Sequence, residues 1–71
     1  MTRQVGTVAS FDPETGLGIV RADGGAEHAF HCTAIADGSR NIDVGAPVTY
    51  DVVAGHLGRW EAADLRPPDP A

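Results

Sequence analysis

A short segment with two glycines constrains the fold of this chain more than any other feature. Residues 16–21 read Gly-Leu-Gly-Ile-Val-Arg, between a turn signal at 12–15, Asp-Pro-Glu-Thr, and a hairpin signal at 23–25, Asp-Gly-Gly. Strand-like runs at residues 5–11 and 27–31 flank it, which predicts an antiparallel meander with this segment in the middle. Because the two glycines lack side chains, they permit strong coiling of the sheet, or close approach of another backbone or a flat ligand.

Two further strand signals follow a long polar connection. A fourth strand begins near Val48, and a fifth covers residues 60–65. Alternation in the fifth strand predicts that Leu65 faces the core and that Trp60 faces outward. The two predicted faces of this strand are Glu61, Ala63 and Leu65 on one side, and Trp60, Ala62 and Asp64 on the other.

Five short strands with a long connection between the third and the fourth are typical of one architecture. It is an all-β, five-stranded antiparallel Greek-key barrel, the oligonucleotide/oligosaccharide-binding (OB) fold. The connection carries one predicted helical turn at residues 32–36, with Thr33 as its cap. We expect the domain to cover residues 1–66, and residues 67–71, Pro-Pro-Asp-Pro-Ala, to form a disordered tail. The predicted core includes Val8, Val20, Phe30, Val48 and Val52.

Composition sets limits on stability and location. At 71 residues the chain fits one small domain. A domain of this size buries only about 60% of the surface of its unfolded chain. The single cysteine, Cys32, excludes an intramolecular disulfide and fits a reducing compartment. There is no apolar leader and no run near the roughly 18 residues that span a membrane. We therefore expect a soluble, cytoplasmic protein with no membrane partner.

The charge balance is unfavourable for tight binding of nucleic acid. The formal net charge is −5, and all five basic residues are arginines. Since affinity for nucleic acid comes largely from neutralised phosphates, an acidic chain is repelled at long range. A local group of arginines can still act at short range.

Four motifs of the chain resemble those of the cold-shock domain family. Residues 6–12, Gly-Thr-Val-Ala-Ser-Phe-Asp, correspond to the family's Gly-x-Val-Lys-Trp-Phe-Asn. Residues 15–20, Thr-Gly-Leu-Gly-Ile-Val, correspond to its first ribonucleoprotein motif, Lys-Gly-Phe-Gly-Phe-Ile. Residues 28–35, His-Ala-Phe-His-Cys-Thr-Ala-Ile, correspond to the second, Val-Phe-Val-His-Phe-Ser-Ala-Ile. Residues 61–65, Glu-Ala-Ala-Asp-Leu, are similar to the family's Gln-Ala-Ala-Asn-Val. The resemblance implies the barrel and the binding of single-stranded RNA or DNA.

The departures from the family pattern fall on residues that stack on bases in the family. Ser10, Leu17, Ile19, Ala29 and Cys32 stand where the family has Trp or Phe. Each base–aromatic stack is worth roughly 1–3 kcal/mol, against about −8 kcal/mol for the whole of a micromolar affinity. The resemblance therefore implies weak binding with little sequence preference, in RNA chaperoning or gene regulation. The alternative is a protein-interaction or regulatory module that has kept the barrel and lost nucleic-acid binding.

The predicted contact surface combines the remaining apolar and aromatic residues with arginines. It comprises Phe11, Leu17, Ile19, His31 and Trp60, with Arg40 and Arg59 at its rim. Two members have alternative roles. His31 could be an ordinary half-exposed residue, and Trp60 could cover the barrel edge or anchor a protein partner.

Other chemistry is disfavoured by spacing. His28 and His31 are an odd number of residues apart on a strand, so they point to opposite faces, and His28 falls on the core side near a barrel end. No second ligand cluster is present to complete a tetrahedral metal site. No base is marked beside Cys32, which is predicted to be a small apolar filler. We expect no metal, no cofactor, no small-molecule substrate and no enzymatic activity.

Overall fold

The strands lie close to where the sequence signals place them. A computed structural model describes residues 3–36, 38, 41–55 and 59–68. The strands are β1 (Gln4–Asp12), β2 (Leu17–Ala22), β3 (Glu27–His31), β4 (Pro47–Ala54) and β5 (Trp60–Arg66), and a 3₁₀ turn covers Cys32–Ala34. Over this part of the chain, no helix has the length and apolar character needed to cross a membrane. The tail predicted at residues 67–71 lies partly outside the described residues and stays a prediction.

Each turn of the meander depends on a glycine in the left-handed region. Gly16 closes the β1–β2 connection with φ 74°, and its N–H donates to the Asp12 carbonyl over 2.8 Å. Gly25 takes φ 99° in the β2–β3 hairpin, where its N–H donates to the Ala22 carbonyl. Residues with a Cβ rarely adopt such φ values, so glycine at these two positions meets a backbone requirement.

The five strands close into a barrel in the order β1-β2-β3-β5-β4. Four neighbouring pairs are antiparallel, and the β3–β5 pair is parallel. The parallel pair has a geometric reason, because five strands in a closed ring cannot alternate in direction at every seam. The predicted all-β, five-stranded barrel is confirmed, with this one exception to its antiparallel pairing.

Alternation along the strands fills the barrel with apolar side chains. Val8, Val20, Phe30 and Val48 are buried as predicted, whereas Val52 is only partly buried against them. Other buried side chains are those of Ala22, Ile35, Tyr50, Ala62 and Leu65. The core is thus continuous around all five strands.

The predicted faces of β5 are wrong, because a β-bulge interrupts its alternation. Over one stretch, β5 has one residue more than β4 opposite it. Asp64 absorbs the extra residue by taking φ 54°. As a result, Ala62 and Leu65 are both buried although they are three residues apart, and Ala63 is only half-buried.

Two polar atoms are buried in the barrel with no hydrogen-bond partner among the described residues. They are Tyr50 Oη and His28 Nδ1, on rings whose centroids are 6.1 Å apart. His28 lies opposite Val20 on the inner side of the sheet, as alternation predicts. Burial raises the pKa of Tyr50 above its usual value of 10.0, and the negative charge of Asp23 acts in the same direction.

We expect the protein to lose stability above about pH 10 because of Tyr50. A raised pKa means that the folded state holds the phenol proton more tightly than the unfolded chain does. This contribution is complete below the unfolded pKa of about 10 and is lost as the pH rises through the folded pKa. The chain has no lysine and no second tyrosine, so few other groups titrate in that range.

The measurement is a series of urea midpoints from about pH 8 to about pH 11, a window around the usual tyrosine pKa. The midpoint of the wild type should fall at the alkaline end, while that of Tyr50→Phe should stay nearly level. Near pH 8 the variant should be no less stable than the wild type, since the hydroxyl has no partner to lose. Equal alkaline losses in both proteins would contradict the assignment to Tyr50.

Candidate functional site

Cross-strand pairs bring outward side chains of β2 and β3 into one surface. Leu17 lies opposite His31, and Ile19 lies opposite Ala29. Paired residues project to the same side of a sheet, so these four side chains are neighbours. Leu17 is 55% exposed, His31 and Ala29 are also exposed, and Ile19 is half-buried. We call these four residues the β2–β3 face; it contains three of the predicted contact residues.

The strands on either side border this face with polar groups. On β1, Asp12 lies opposite Leu17 and Ser10 lies opposite Ile19. On β5, Glu61 lies opposite Ala29 across the parallel seam. Acidic residues therefore flank the apolar strip on both sides, although the carboxylate of Glu61 lies against Gly55, where a Cβ would overlap it.

The nearest arginine on the outer side of β2 is already engaged. Arg21 Nη2 lies 2.7 Å from Glu27 Oε2, and Arg21 Nε donates to the same oxygen over 3.0 Å. Both side chains are about half exposed, so this pair contributes little to stability. It does reduce the positive charge that Arg21 offers to a ligand.

Phe11 is not part of the β2–β3 face. It lies opposite Gly18 and packs partly buried against the core. Its ring stacks on that of Phe30, with centroids 5.9 Å apart and planes 8° from parallel. The aromatic residue that the sequence retains here contributes mainly to the core.

No strand pairing of the described residues sets Trp60 or Arg59 opposite a residue of the β2–β3 face. Pairing with β4 is regular from Ala62 back to Trp60, so the two side chains share one side of the strand, and that side is the inner one. Alternation therefore does not account for the predicted exposure of Trp60, but the exposure itself is found. Its side chain is 63% exposed, and it is the first residue of β5. Arg59 is exposed immediately before it.

The remaining predictions for the site concern Arg40 and metal binding. Arg40, expected at the rim, lies outside the described residues. Within the residues that the structure does describe, no group of three or more His, Cys, Asp or Glu side chains is arranged to hold a metal ion.

His31 has a fixed position at the end of β3. Its Nδ1 accepts a hydrogen bond from the Thr33 N–H over 3.3 Å and lies 3.0 Å from Thr33 Oγ1. His31 is therefore the N-cap of the 3₁₀ turn, and the prediction of Thr33 as the cap is wrong. Gly16 lies beside the ring, and a Cβ at this position would approach His31 Nε2 to 3.2 Å and Cys32 Sγ to 2.8 Å. Cys32 itself is partly buried against the core, as a filler would be.

Sequence analysis missed two residues of this site, for different reasons. Ala29 lies in the middle of the β2–β3 face, and alternation with His31 placed it there. A methyl side chain, however, gives no chemical signal of binding. Thr33 is linked to His31 because His31 is the N-cap of the turn. Residue preferences do not suggest His at an N-cap, since Ser, Thr, Asp and Asn dominate at that position.

Comparison with known proteins connects this site to a family. The chain is 37% identical to glycine-rich protein 2 of Nicotiana sylvestris over 71 residues, 97% of this chain and 33% of that protein. It thus spans about a third of that relative's length. It is 36% identical to cold shock-like protein CspLB of Listeria monocytogenes over 56 residues, 78% of this chain and 85% of that protein.

A third relative gives the same result. Cold shock protein CspC of Bacillus subtilis is 37% identical over 58 residues, 80% of this chain and 88% of that protein. No family model matches the chain. The two bacterial proteins are nonetheless matched over most of their own length, and the structure is the closed five-stranded barrel that the resemblance implies. The chain belongs to the cold-shock protein family.

Proposed function

We propose that this chain binds single-stranded RNA or DNA on the β2–β3 face, weakly and with little sequence preference. The observation that carries the proposal is the exposed pairing of Leu17 with His31 and of Ile19 with Ala29, on the two strands that carry the ribonucleoprotein-like motifs. Apolar side chains and an imidazole plane can contact the faces of unstacked bases. Such binding would serve RNA chaperoning or gene regulation.

The first reason to expect weak binding is the lack of stacking rings. Apart from His31, the β2–β3 face carries only aliphatic side chains. Phe11 is stacked on Phe30 and packed against the core. Because each base–aromatic stack is worth roughly 1–3 kcal/mol, replacing several of them removes most of the affinity of a micromolar binder.

The second reason is electrostatic. Asp12 lies opposite Leu17 at one border of the face, and Arg21 is paired with Glu27. On the strands that carry the face, phosphates therefore meet little uncompensated positive charge from the residues that the structure describes. This supports an affinity that depends on apolar contact more than on the release of counterions.

We expect a shallow salt dependence for this binding. Single strands give a slope of about −0.7 in log affinity against log salt for each neutralised phosphate. Two or three arginine contacts would give about −1.4 to −2.1. Titrations of an oligonucleotide at several salt concentrations measure the slope. In the same assay, His31→Ala should weaken binding without unfolding the protein. A slope several times steeper would show that the charge distribution was misjudged.

The alternative function, a protein-interaction or regulatory module, is supported by a different observation. Trp60 is 63% exposed beside the exposed Arg59, and these residue types are common anchors of protein interfaces. NMR shift changes on adding oligonucleotide at low salt separate the two functions. Shifts centred on the β2–β3 face support the proposal. No shifts at all, with a binding partner that is lost in Trp60→Ala, support the alternative.

A further inference from the structure

The cap at the start of the 3₁₀ turn determines which nitrogen of His31 carries the proton. A backbone N–H can only donate a hydrogen bond, so the Thr33 N–H requires a lone pair on Nδ1. The Thr33 hydroxyl, 3.0 Å from the same nitrogen, can donate as well. In the neutral imidazole one nitrogen carries the proton and the other accepts. A neutral His31 that accepts this bond from the Thr33 N–H carries its proton on Nε2.

The cap engages Nδ1 and leaves Nε2, which lies beside Gly16, without a role in it. His31 is exposed, and Nε2 has no hydrogen-bond partner among the described residues. Opposite it on β2 is Leu17, which supplies apolar surface next to the ring. Since Arg21 is engaged by Glu27, a neutral donor at Nε2 is a prominent polar feature of the β2–β3 face.

We propose that Thr33 is a positioning residue that holds neutral His31 as its Nε2–H tautomer, so that the β2–β3 face selects a ligand group that accepts a hydrogen bond. The choice of ligand class rests on the proposed function, whereas the tautomer does not. In a single-stranded nucleic acid the acceptor is an oxygen or ring nitrogen of a base, or a phosphate oxygen. Both the base and the phosphate offer a hydrogen-bond acceptor, so the experiment must distinguish between them.

The tautomer is measured without any ligand. Nitrogen-15 NMR of the imidazole at about pH 8.5, where an ordinary histidine is neutral, distinguishes protonated from unprotonated ring nitrogens. We expect Nδ1 of His31 to be unprotonated and Nε2 to carry the hydrogen. Thr33→Ser and Thr33→Val both keep the backbone N–H and should leave the proton on Nε2, whereas Thr33→Pro lacks that N–H and should shift the spectrum toward a mixture of tautomers. A protonated Nδ1 in the free wild type would overturn the proposal, whatever the protein binds.

Two substitutions of His31 separate the cap from the donor. His31→Asn keeps an acceptor for the Thr33 N–H, because Asn is a good N-cap, but has no donor at the position of Nε2. His31→Gln places an amide near that position but loses the cap. We expect His31→Asn to keep wild-type stability and to bind an oligonucleotide about threefold to tenfold more weakly, the effect of one neutral hydrogen bond. His31→Gln should be less stable and should bind more tightly than His31→Asn.

The source of the acceptor is found by repeating the titration with an abasic oligomer of equal length. Weakening of both ligands by His31→Asn assigns the acceptor to phosphate. Weakening only of the base-bearing ligand assigns it to a base if His31→Gln recovers part of the affinity, because His31→Gln also lacks the imidazole plane but has an amide donor near Nε2. Undiminished binding by His31→Asn would overturn the selection of an acceptor. No binding even by the wild type would overturn the proposed function and the selection together, and the NMR spectrum would still decide the tautomer.

Discussion

Gly18→Ala should destabilise the barrel by about 2 kcal/mol, within the range usual for overpacking a core. A Cβ at this position would lie 2.5 Å from Phe30 Cζ, 2.6 Å from Phe30 Cε1 and 2.7 Å from the Ser10 carbonyl oxygen. The ring has little room to move away, because Phe30 is 2% exposed and stacked on Phe11. In a domain of this size, about 2 kcal/mol lowers the melting temperature by roughly 8–16 °C, which thermal circular dichroism measures directly.

Gly24→Ala is the matched control for this prediction. A Cβ at Gly24 would meet nothing within 4 Å, so the substitution should change stability by no more than about 0.5 kcal/mol. A second variant tests the mechanism. Phe30→Leu removes the ring that the new methyl group strikes. The double variant should therefore lose less stability than the sum of the losses of the two single variants. If Gly18→Ala had the same melting temperature as the wild type, the contact with Phe30 would not be the reason for a glycine at this position.

The sequence alone explained this glycine by coiling of the sheet or by close approach of another backbone or a flat ligand, whereas the structure shows a side chain of the core, Phe30, next to it. Close approach by a side chain from the core and close approach by a flat ligand both require a missing Cβ. Alternation could place Phe30 inside the barrel, but it could not show that the ring lies directly over Gly18. That relation depends on register, which pairs Gly18 with Phe30 across the β2–β3 hairpin.

Predictions within the meander succeeded because hairpin signals determine register locally. The pairing of Leu17 with His31 follows from the turn at residues 23–25 and from period-two alternation. Contacts between distant segments carry no such signal. The parallel bridge between Ala29 and Glu61, which places β5 beside the β2–β3 face, becomes visible only when the barrel closes.

The errors on β5 have the same origin. A bulge shifts alternation by one residue, and nothing before Asp64 in the sequence indicates that the strand gains a residue there. Asp adopts the left-handed region more readily than most residues, but this preference alone does not predict a bulge. Because of this one shift, Ala62 is buried in the core where alternation predicted Ala63. The same shift puts Trp60 on the side of the strand opposite to the predicted one.

Asp64→Ala should destabilise the protein by about 2 kcal/mol, through backbone strain and lost contacts together. Asp64 takes φ 54° at the bulge, a conformation that costs a residue such as Ala roughly 1–2 kcal/mol. Its carboxylate lies 2.9 Å from Arg3 Nη1 and 3.1 Å from Arg66 Nε, and its carbonyl accepts a hydrogen bond from Arg3. Arg3 also contacts Thr49 and Asp51, so the cluster ties the start of β1 to β4 and β5.

Two further substitutions divide this loss into its parts, with urea denaturation as the measurement. Asp64→Gly removes the side chain but not the freedom to adopt φ 54°, so it should be about 1 kcal/mol more stable than Asp64→Ala. Asp64→Asn keeps both the conformation and an acceptor oxygen. Because the carboxylate is 38% exposed, losing its charge should cost less than about 1 kcal/mol. The order of stability should therefore be wild type, Asn, Gly, Ala, and equal stability of the Gly and Ala variants would exclude backbone strain as the cause. Since the cluster lies on the β1–β4–β5 side of the barrel, all three variants should bind oligonucleotide as the wild type does wherever they remain folded.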